Sequence, residues 1–332
     1  MKIVITECDH DAFDEEHEVA AAVGGDLVIT QSRTPEELIA NASGADGLVV
    51  QYARITGAIM DALPAVRVIG RYGVGVDTID IPAATARGIA VCNVPDYGTE
   101  AVSDHAIALA LAAARDIPRL DRALREGRVD FPGVRPLHVV GDRVFGIIGL
   151  GRIGSATARK AAGLGYRVIC HDILAGEEPT FRGYQHVALR ELLRRSQVVS
   201  IHTPLTELTH HLVGAEQLAL MRPDAILVNT ARGPVVDTAA LADALRAGVI
   251  RSAALDVAEL EPLPRDHELM ALPQVVLTPH MAWYSEETYG ELKRRTLHNV
   301  ATLLRGDRPR DIVNPEVLGA PGRNHDLAVA TP

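Results

Sequence analysis

The chain is poor in cysteine, and its cysteines are badly placed for bonding to each other or to a metal. Three occur in 332 residues, never as a CxxC pair: Cys8, Cys92 and Cys170. This spacing argues against a disulfide framework and a cysteine zinc site and is typical of reduced thiols, so we expect a cytoplasmic protein. We also expect no metal, because no carboxylate helix motif surrounds His202, His210 or His211.

Long apolar runs and basic clusters are missing as well. The longest apolar candidate, at 106–114, is far shorter than the roughly eighteen residues of a membrane span. The first residues, MKIVITECDHDAF, contain no signal-peptide region. The formal net charge is −10, with no basic run that would attract a phosphate backbone. We therefore expect neither a membrane nor a nucleic-acid partner.

The sequence does contain a repeated alternation of strand-like and helix-like segments. At roughly 150 residues per domain, its length suggests two domains. Eleven strand-like runs occur in two sets, at 2–6, 27–30, 47–50, 66–70 and 90–93, and at 144–148, 167–171, 198–201, 225–229, 252–255 and 275–277. Helical patterns separate most of them. Strand–helix–strand alternation predicts parallel sheets with right-handed crossovers, so we expect an α/β protein with two doubly wound sheets.

Two further helical segments indicate how the sheets are connected. Residues 97–125 are rich in alanine and predict one long helix that links two lobes. Residues 285–304 follow the last strand without a strand of their own, so we expect this helix to cross back to the first lobe. One domain would then comprise 1–99 plus 283–332, and the other 100–282. We expect the small, polar tail from Gly319 to be poorly ordered.

A glycine-rich turn lies where the second set of strands begins. Gly149-x-Gly151-x-x-Gly154 follows the strand at 144–148 and opens a helix. These glycines allow a tight turn, the approach of a pyrophosphate and close helix packing, respectively. Asp172 ends the next strand, where a carboxylate binds ribose hydroxyls and repels a 2′-phosphate, and no Arg or Lys occurs at 173–178. We therefore expect NAD, with a purely structural glycine turn as the alternative.

Three strands of the second set end near residues with catalytic chemistry. Arg232 follows the strand at 225–229, Glu261 lies in the loop after 252–255, and His280 follows 275–277. Ligands bind outside the carboxyl ends of parallel strands, so these side chains should converge if the strands are neighbours. Reduction of a 2-keto acid needs a cation for the carboxylate and an acid for the forming alkoxide, which arginine and histidine supply. A neighbouring carboxylate favours the imidazolium.

Each of these three residues also has an ordinary structural explanation. An arginine after a strand is often a surface ion-pair member, and a Glu-Pro loop is usually solvated. A single histidine is more often a hydrogen-bonded structural residue than an acid or base. Their joint position at one predicted sheet edge favours the catalytic hypothesis.

Five segments together resemble the family of NAD-dependent D-isomer-specific 2-hydroxyacid dehydrogenases. They are GRYGVGVDTID at 70–80, GIIGLGRIG at 146–154, LVNTARGPVVD at 227–237, AALDVAELEP at 253–262 and LTPHMAW at 277–283. The resemblance covers about residues 45–300. It implies that Arg232 binds the substrate carboxylate and carbonyl and that His280, paired with Glu261, is the acid and base. Related formate dehydrogenases carry glutamine in place of Glu261, which argues against that branch.

The resemblance also implies roles for the two domains. Residues 100–282 would be a Rossmann NAD-binding domain, and 1–99 plus 283–332 a flavodoxin-like substrate-binding or lid domain. Backbone N–H groups of Val74 and Gly75 would hold the substrate carboxylate. The family is usually dimeric through the nucleotide-binding domain, so we expect a homodimer. Residues at the cofactor would be Val74, Val102, Gly149, Gly151, Arg152, Ile153, Gly154, Asp172, Thr203, Pro204, Thr209, Thr230, Ala231, Arg232, Asp256 and His280.

Within the family, HMAWYSEE and CNVP look most like the branch of C-terminal-binding proteins, which includes eukaryotic transcriptional corepressors. That branch places a tryptophan beside the substrate, so Trp283 would shape a pocket for an apolar 2-keto acid, unless it only packs there. Arg54 is a candidate second substrate cation, with a solvated loop arginine as the alternative. Two rival functions stay open: an NAD(H)-sensing interaction protein with little turnover, and an enzyme with a non-carboxylate substrate such as phosphite.

Overall fold

The chain forms two compact units in the computed structural model, which describes residues 1–129 and 132–319. The first unit comprises Met1–Gly98 with Ser285–Pro332, and the second comprises Thr99–Tyr284. The tail that was expected to be poorly ordered, beyond Gly319, lies outside the described residues.

The first unit is built on a five-stranded parallel sheet. Its strands are β1 (Lys2–Ile5), β2 (Asp26–Ile29), β3 (Gly47–Val50), β4 (Val68–Arg71) and β5 (Ala90–Cys92). They lie in the order β2-β1-β3-β4-β5, the order of flavodoxin-like folds. The first four helices are α1 (Asp14–Ala22), α2 (Pro35–Asn41), α3 (Gly57–Ala62) and α4 (Ile81–Ala86).

Glycine allows the last helix of the chain, Glu286–Leu304, to pack directly on this first sheet. All four residues of β3 are buried, as expected for a parallel strand that is covered on both faces. A Cβ atom at Gly47 or Gly70 would lie 2.8 or 2.6 Å from the side chain of Val300 on that helix. The helix therefore belongs to the first unit, although it follows the second in sequence.

The second unit contains an eight-stranded sheet. Its strands are β6 (Val144–Ile148), β7 (Arg167–His171), β8 (Thr180–Phe181), β9 (Tyr184–His186), β10 (Val198–Ile201), β11 (Ile226–Asn229), β12 (Ser252–Leu255) and β13 (Val275–Leu277). They lie in the order β13-β12-β11-β10-β6-β7-β9-β8, and only β8 pairs antiparallel. The strand order reverses at β6, as in a Rossmann fold, so a ligand crevice is expected at the carboxyl end of β6.

The helices of the second unit show one departure from the sequence prediction. They are α5 (Thr99–Ala114), α6 (Ile117–Arg125), α7 (Arg152–Gly163), α8 (Leu189–Arg195), α9 (Ala215–Leu220), α10 (Thr238–Arg246) and α11 (Glu268–Ala271), so the last helix is α12. The single helix predicted at 97–125 is wrong, because Asp116 adopts a left-handed conformation with φ 55° and ends α5. Pro118 then lies in the first turn of α6, where proline is tolerated.

The predicted α/β class with two parallel sheets is confirmed. The prediction missed β8 and β9, which are two and three residues long, too short to produce a recognisable alternation. Among the described residues, no helix is long and apolar enough to cross a membrane.

Candidate active site

Six strands of the second sheet end level with one another. The last residue of β6, Ile148, pairs with Ile201 on one side and His171 on the other. Continuing outward, Asn229 of β11 pairs with both Ile201 and Leu255 of β12, and Leu255 pairs with Leu277 of β13. The loops that carry the glycine turn, Arg232, Glu261 and His280 therefore all leave the sheet at a single edge.

The glycine turn has the backbone geometry that a dinucleotide pyrophosphate requires. Gly149 has φ 88°, and a Cβ atom there would lie 2.9 Å from the His202 backbone. At Gly154 a Cβ atom would lie 2.0 Å from the Gly149 carbonyl oxygen, so this position requires glycine for packing. A Cβ atom at Gly151 would meet nothing within 4 Å, which leaves open space at the N-terminus of α7. Free N–H groups and the helix dipole favour a phosphate in that space.

Asp172 lies at the end of β7 and is bonded to the glycine turn itself. Its Oδ2 atom accepts the Leu150 N–H at 2.7 Å, and its Oδ1 atom accepts the Leu174 N–H at 2.9 Å. Ile173 and Leu174, which follow it, are both exposed. The carboxylate is thus fixed beside the turn, next to an apolar surface that suits an adenine ring.

Two buried hydroxyl groups at this edge have no hydrogen-bond partner. They are Thr203 Oγ1, after β10, and Thr230 Oγ1, after β11. Buried polar groups are almost always satisfied, so these two indicate that a ligand completes the site. Thr209 differs, because its hydroxyl donates to the Pro204 carbonyl at 2.6 Å and closes its own loop. Together with the open glycine turn, the orphaned hydroxyls fit a bound dinucleotide.

Three other predicted cofactor residues lie at the glycine turn or on the neighbouring helix α5. Arg152 is the first residue of α7 and is exposed, and Ile153 follows it half-buried. Val102 is buried in the first turns of α5. None of these side chains contributes a polar partner to the catalytic groups.

Arg232 is held in place by Asn229, a residue that the sequence prediction missed. The Asn229 side chain donates to the Arg232 carbonyl at 2.9 Å and accepts the Ala231 N–H at 3.0 Å. Gly233 follows, and a Cβ atom there would lie 1.9 Å from the carbonyl oxygen of Ala258. The Arg-Gly pair therefore lets the arginine loop lie directly against the loop that leads to Glu261.

His280 and Glu261 form a close pair. The His280 Nδ1 atom lies 2.6 Å from Glu261 Oε2, and Glu261 Oε1 accepts the Ala258 N–H at 3.1 Å. Burial raises the pKa of Glu261, but the hydrogen bond and charge of His280 and the charge of Arg232 outweigh it, so this pKa lies below its ordinary value. Glu261 is therefore a carboxylate at neutral pH. His280 and Glu261 are thus in contact, and Arg232 is near enough for its charge to act on Glu261.

Asp256 uses both carboxylate oxygens within the protein. Oδ1 accepts from the Thr278 hydroxyl at 2.6 Å and from Met281 N–H at 2.9 Å, and Oδ2 accepts from Ala282 N–H at 2.9 Å. It is only 2% exposed. The sequence analysis had assigned Asp256 to the cofactor alone and gave no sign of these bonds to the segment around His280.

The first unit carries its own predicted site residues on two neighbouring loops. Asn93 donates to the Val74 carbonyl at 2.6 Å, and Val94 N–H donates to the Gly73 carbonyl at 3.0 Å. Within residues 1–129 and 132–319, the Val74 and Gly75 N–H groups donate no hydrogen bond. The two amides are therefore available to an anion.

Arg54 lies on another loop of the first unit, the one that follows β3, and is exposed. A single carboxylate oxygen, Oε1 of Glu7, accepts the N–H groups of Gln51, Tyr52 and Ala53 at 2.9 to 3.0 Å and so fixes this loop. Trp283, in the second unit, is half-buried and packs edge to face on Tyr284, with the ring centroids 5.7 Å apart.

The histidines considered for a metal have other partners. Burial lowers the pKa of His202 to about 3, and its Nε2 atom lies 2.9 Å from the Ser200 hydroxyl. His211 Nε2 lies 2.6 Å from Glu259, whose other oxygen accepts the Thr238 N–H. In the part of the chain that the structure describes, no group of three or more potential ligands is arranged to hold a metal ion.

Comparison with known proteins agrees with this geometry. Residues 107–282 match the sequence profile of the D-isomer specific 2-hydroxyacid dehydrogenase, NAD binding domain. The chain is 44% identical to a glyoxylate reductase of Korarchaeum cryptofilum over 80% of its own length and 81% of that protein. The chain belongs to the D-isomer specific 2-hydroxyacid dehydrogenase family. The predicted NAD-dependent oxidoreductase is therefore confirmed.

Solved structures of relatives share the whole fold. The TT0316 protein from Thermus thermophilus superimposes with a TM-score of 0.86 at 36% identity, covering 94% of this chain and 100% of that one. The D-lactate dehydrogenase of Aquifex aeolicus, solved with NAD and lactic acid, gives 0.83 at 26% identity, covering 96% of this chain and 97% of that one. The dehydrogenase described here therefore has a Rossmann NAD-binding domain of the same architecture.

Proposed function

We propose that this dehydrogenase reduces a small 2-keto acid to the D-2-hydroxy acid with NADH and catalyses the reverse reaction with NAD. The observation that carries the proposal is the 2.6 Å contact between His280 Nδ1 and Glu261 Oε2. This pair leaves the sheet at the same edge as Arg232 and the glycine turn. A proton donor, a substrate cation and a dinucleotide site thus occur together.

The proposed roles follow from the chemistry of the three side chains. Because Glu261 occupies Nδ1 of His280, the Nε2–H is the group that donates a proton to the substrate carbonyl oxygen. Glu261 stabilises the imidazolium before transfer and orients the ring. The Arg232 guanidinium binds the carboxylate and polarises the carbonyl, since its planar fork matches a carboxylate. Bound NADH supplies the hydride to the carbonyl carbon.

We assign the remaining substrate contacts to backbone amides and to two side chains. The N–H groups of Val74 and Gly75, which have no internal acceptor, would bind the substrate carboxylate. Trp283 would contact the substrate side chain, and Arg54 would supply a second cation. The sequence segments His280–Glu287 and Cys92–Pro95 support a place in the branch of C-terminal-binding proteins. The glyoxylate reductase relative favours an enzyme over a corepressor-like protein.

Most of the proposed cofactor contacts lie at the six strand ends of the second sheet and on the loops after them; Val74, in the first unit, and Val102, on α5, are the exceptions. Asp172 would bind the adenine-ribose hydroxyls and exclude a 2′-phosphate, which supports NAD rather than NADP. The glycine turn would hold the pyrophosphate. The complete proposed set is Val74, Val102, Gly149, Gly151, Arg152, Ile153, Gly154, Asp172, Thr203, Pro204, Thr209, Thr230, Ala231, Arg232, Asp256 and His280.

A homodimer through the NAD-binding unit is also part of the proposal. Helix α6 and the segments on either side of the undescribed residues 130–131 expose four large apolar side chains: Ile117, Leu124, Val129 and Val139. Leu124 is 70% exposed near the C-terminal end of α6, and such apolar clusters on one segment are typical of protein interfaces. The three cysteines are buried and unpaired, which supports a reducing, cytoplasmic location.

The test is NADH consumption with glyoxylate, hydroxypyruvate, phenylpyruvate and branched-chain 2-keto acids, in wild type and His280→Ala. Wild type should turn over at least one of them. His280→Ala should lower kcat at least 100-fold, since general acid catalysis contributes about 10²–10⁴-fold, and should change NADH binding far less than kcat. Full turnover by His280→Ala would refute the mechanism. Absence of turnover with every acid would favour an interaction protein or a non-carboxylate substrate.

A further inference from the structure

His105 is a polar residue of helix α5 to which no role in binding or catalysis has been given. Its Nε2 atom lies 2.9 Å from the Thr278 hydroxyl oxygen, and that oxygen lies 2.6 Å from Asp256 Oδ1. His105 Nε2 is itself 3.5 Å from the same carboxylate oxygen. The three side chains form a line that leads from α5, through Thr278 after β13, to Asp256 after β12.

The direction of the hydrogen bonds in this line is fixed by simple counting. A threonine hydroxyl has one hydrogen, and the 2.6 Å contact with a carboxylate requires it, because two oxygens cannot approach so closely without a proton. The contact at 2.9 Å must then be a donation from His105 Nε2–H to Thr278. His105 therefore carries its proton on Nε2 and polarises the hydroxyl towards Asp256.

Asp256 in turn holds the segment that carries His280. Its carboxylate accepts the N–H groups of Met281 and Ala282, both at 2.9 Å. Its main-chain carbonyl accepts the His280 N–H at 2.8 Å. Asp256 also accepts the Thr278 hydroxyl. It is therefore hydrogen-bonded to residues before His280, to residues after it and to the His280 backbone itself.

The backbone of His280 explains why this much support is needed. Its φ is +53°, a left-handed conformation that is unfavourable for a non-glycine residue. Such a conformation persists only where the surroundings fix it. The same conformation brings Nδ1 to 2.6 Å from Glu261 Oε2. Loss of the support would let the segment relax and move the imidazole away from its carboxylate.

We propose that His105, acting through Thr278 and Asp256, is a positioning residue for His280. It does not touch the substrate. It orients the Thr278 hydroxyl, which keeps the Asp256 carboxylate aligned with the backbone of the His280 segment. This inference rests on the proposed role of His280 as acid and base.

The experiment compares His105→Leu, His105→Gln and Thr278→Val with wild type, using any 2-keto acid that the enzyme turns over. Glutamine places an N–H donor where His105 Nε2 lies, whereas leucine and valine remove one polar group each. His105→Leu and Thr278→Val should lower kcat about 10-fold or more. Neither should change the Kd of NADH, measured by fluorescence, more than twofold. His105→Gln should recover most of the lost kcat.

Rescue by His105→Gln separates positioning from general damage, because glutamine restores the N–H donor to Thr278 without restoring the imidazole ring. Ser103→Ala, which removes a buried hydroxyl from α5, and Thr302→Val, which removes one from α12, are the controls and should match wild type.

Several outcomes would overturn the inference. One is a kcat within twofold of wild type in Thr278→Val or His105→Leu while His280→Ala is inactive; the proposed function would then stand. Another is a loss of NADH affinity as large as the loss of kcat. A third is a loss of kcat in Ser103→Ala as large as that in Thr278→Val. Either result would indicate a structural role only. If His105→Leu does not fold, the kcat values of Thr278→Val and His105→Gln test the inference instead. Full activity of His280→Ala would instead refute the proposed function.

Discussion

Replacing Lys293 with methionine should strongly destabilise the first unit. The Lys293 side chain is 1% exposed and lies in α12, 277 positions after Glu16 of α1, whose side chain is 0% exposed. Its Nζ atom lies 2.7 Å from Glu15 Oε2 and 3.5 Å from Glu16 Oε2, and it donates to the Ala12 carbonyl at 2.6 Å. The other Glu16 oxygen accepts the Tyr72 hydroxyl at 2.8 Å.

The size of the effect follows from the burial of Glu16. Methionine matches the stem of lysine, so little packing is lost, but the buried carboxylate loses its cation. Removing one partner of a buried ion pair costs about 3–5 kcal/mol. At about 2–4 °C per kcal/mol for a unit of this size, Tm should fall by roughly 6–20 °C. Most of that loss comes from Glu16, because Glu15 is partly solvated.

The assay is thermal unfolding followed by circular dichroism, combined with peptide-resolved hydrogen exchange. Faster exchange should appear in α1, which contains Glu16, in α12, which contains Lys293, and in β4, which Tyr72 directly follows. Lys160→Met is the control, because Lys160 pairs with Glu100 and Asp104 at the surface and a surface pair contributes about 0–1 kcal/mol. A Lys293→Met variant as stable as Lys160→Met would refute the reasoning.

A triple variant tests the same argument from the other side. Tyr72→Phe, Glu16→Leu and Lys293→Met together leave no buried charge in the cluster, and such apolar replacements are often neutral or stabilising. The triple variant should therefore be more stable than Lys293→Met alone.

The pH dependence of the Lys293–Glu15 pair has a defined sign as well. The hydrogen bond from Lys293 lowers the pKa of Glu15, so this pair stabilises the fold above the unfolded pKa of about 4.3 and is lost as pH falls through the folded value.

Three further predictions concern the cofactor site and the interface. Gly154→Ala would place a Cβ atom 2.0 Å from the Gly149 carbonyl and should raise the Kd of NADH at least 10-fold in fluorescence titration, whereas Gly163→Ala, which meets nothing within 4 Å, should not. Asp172→Arg should shift the ratio of kcat/KM for NADPH over NADH upward at least 10-fold, and an unchanged ratio would contradict the role of this carboxylate. Leu124→Asp should convert a dimer to monomer in light scattering, while the exposed Met270→Asp should leave the mass unchanged.

Much of the fold was predictable because it depends on local patterns. Each parallel strand is a short buried run bounded by turns, such as VFGII of β6, and its hydrophobic character is independent of the rest of the chain. The position of the active site was predictable for a related reason. Parallel strands bring their carboxyl ends to one edge, so the order of Arg232, Glu261 and His280 after three strands implied their convergence.

The features that were missed depend on contacts between distant residues. The Glu16–Lys293 pair, which joins α1 and α12, is an example. Each of these residues lies in a segment whose charged residues resemble a solvated helix face. Asp116 is another, since nothing in an alanine-rich run specifies a left-handed residue before Pro118. The support of Arg232 by Asn229 was also invisible, because an asparagine after a strand usually indicates only a turn.

Contacts between distant residues also determine what the candidate active site needs beyond the three proposed catalytic side chains. The sheet edge brings His280 near Glu261, but a sheet does not determine the φ of a residue three positions after its strand ends. That conformation is unfavourable for histidine, so it must be maintained by bonds from elsewhere. Asp256 makes these bonds. Because it is buried, its carboxylate needs hydrogen-bond donors of its own, and the Thr278 hydroxyl is one of them. A histidine on α5, 175 positions before His280, can therefore influence the proton donor without approaching the substrate.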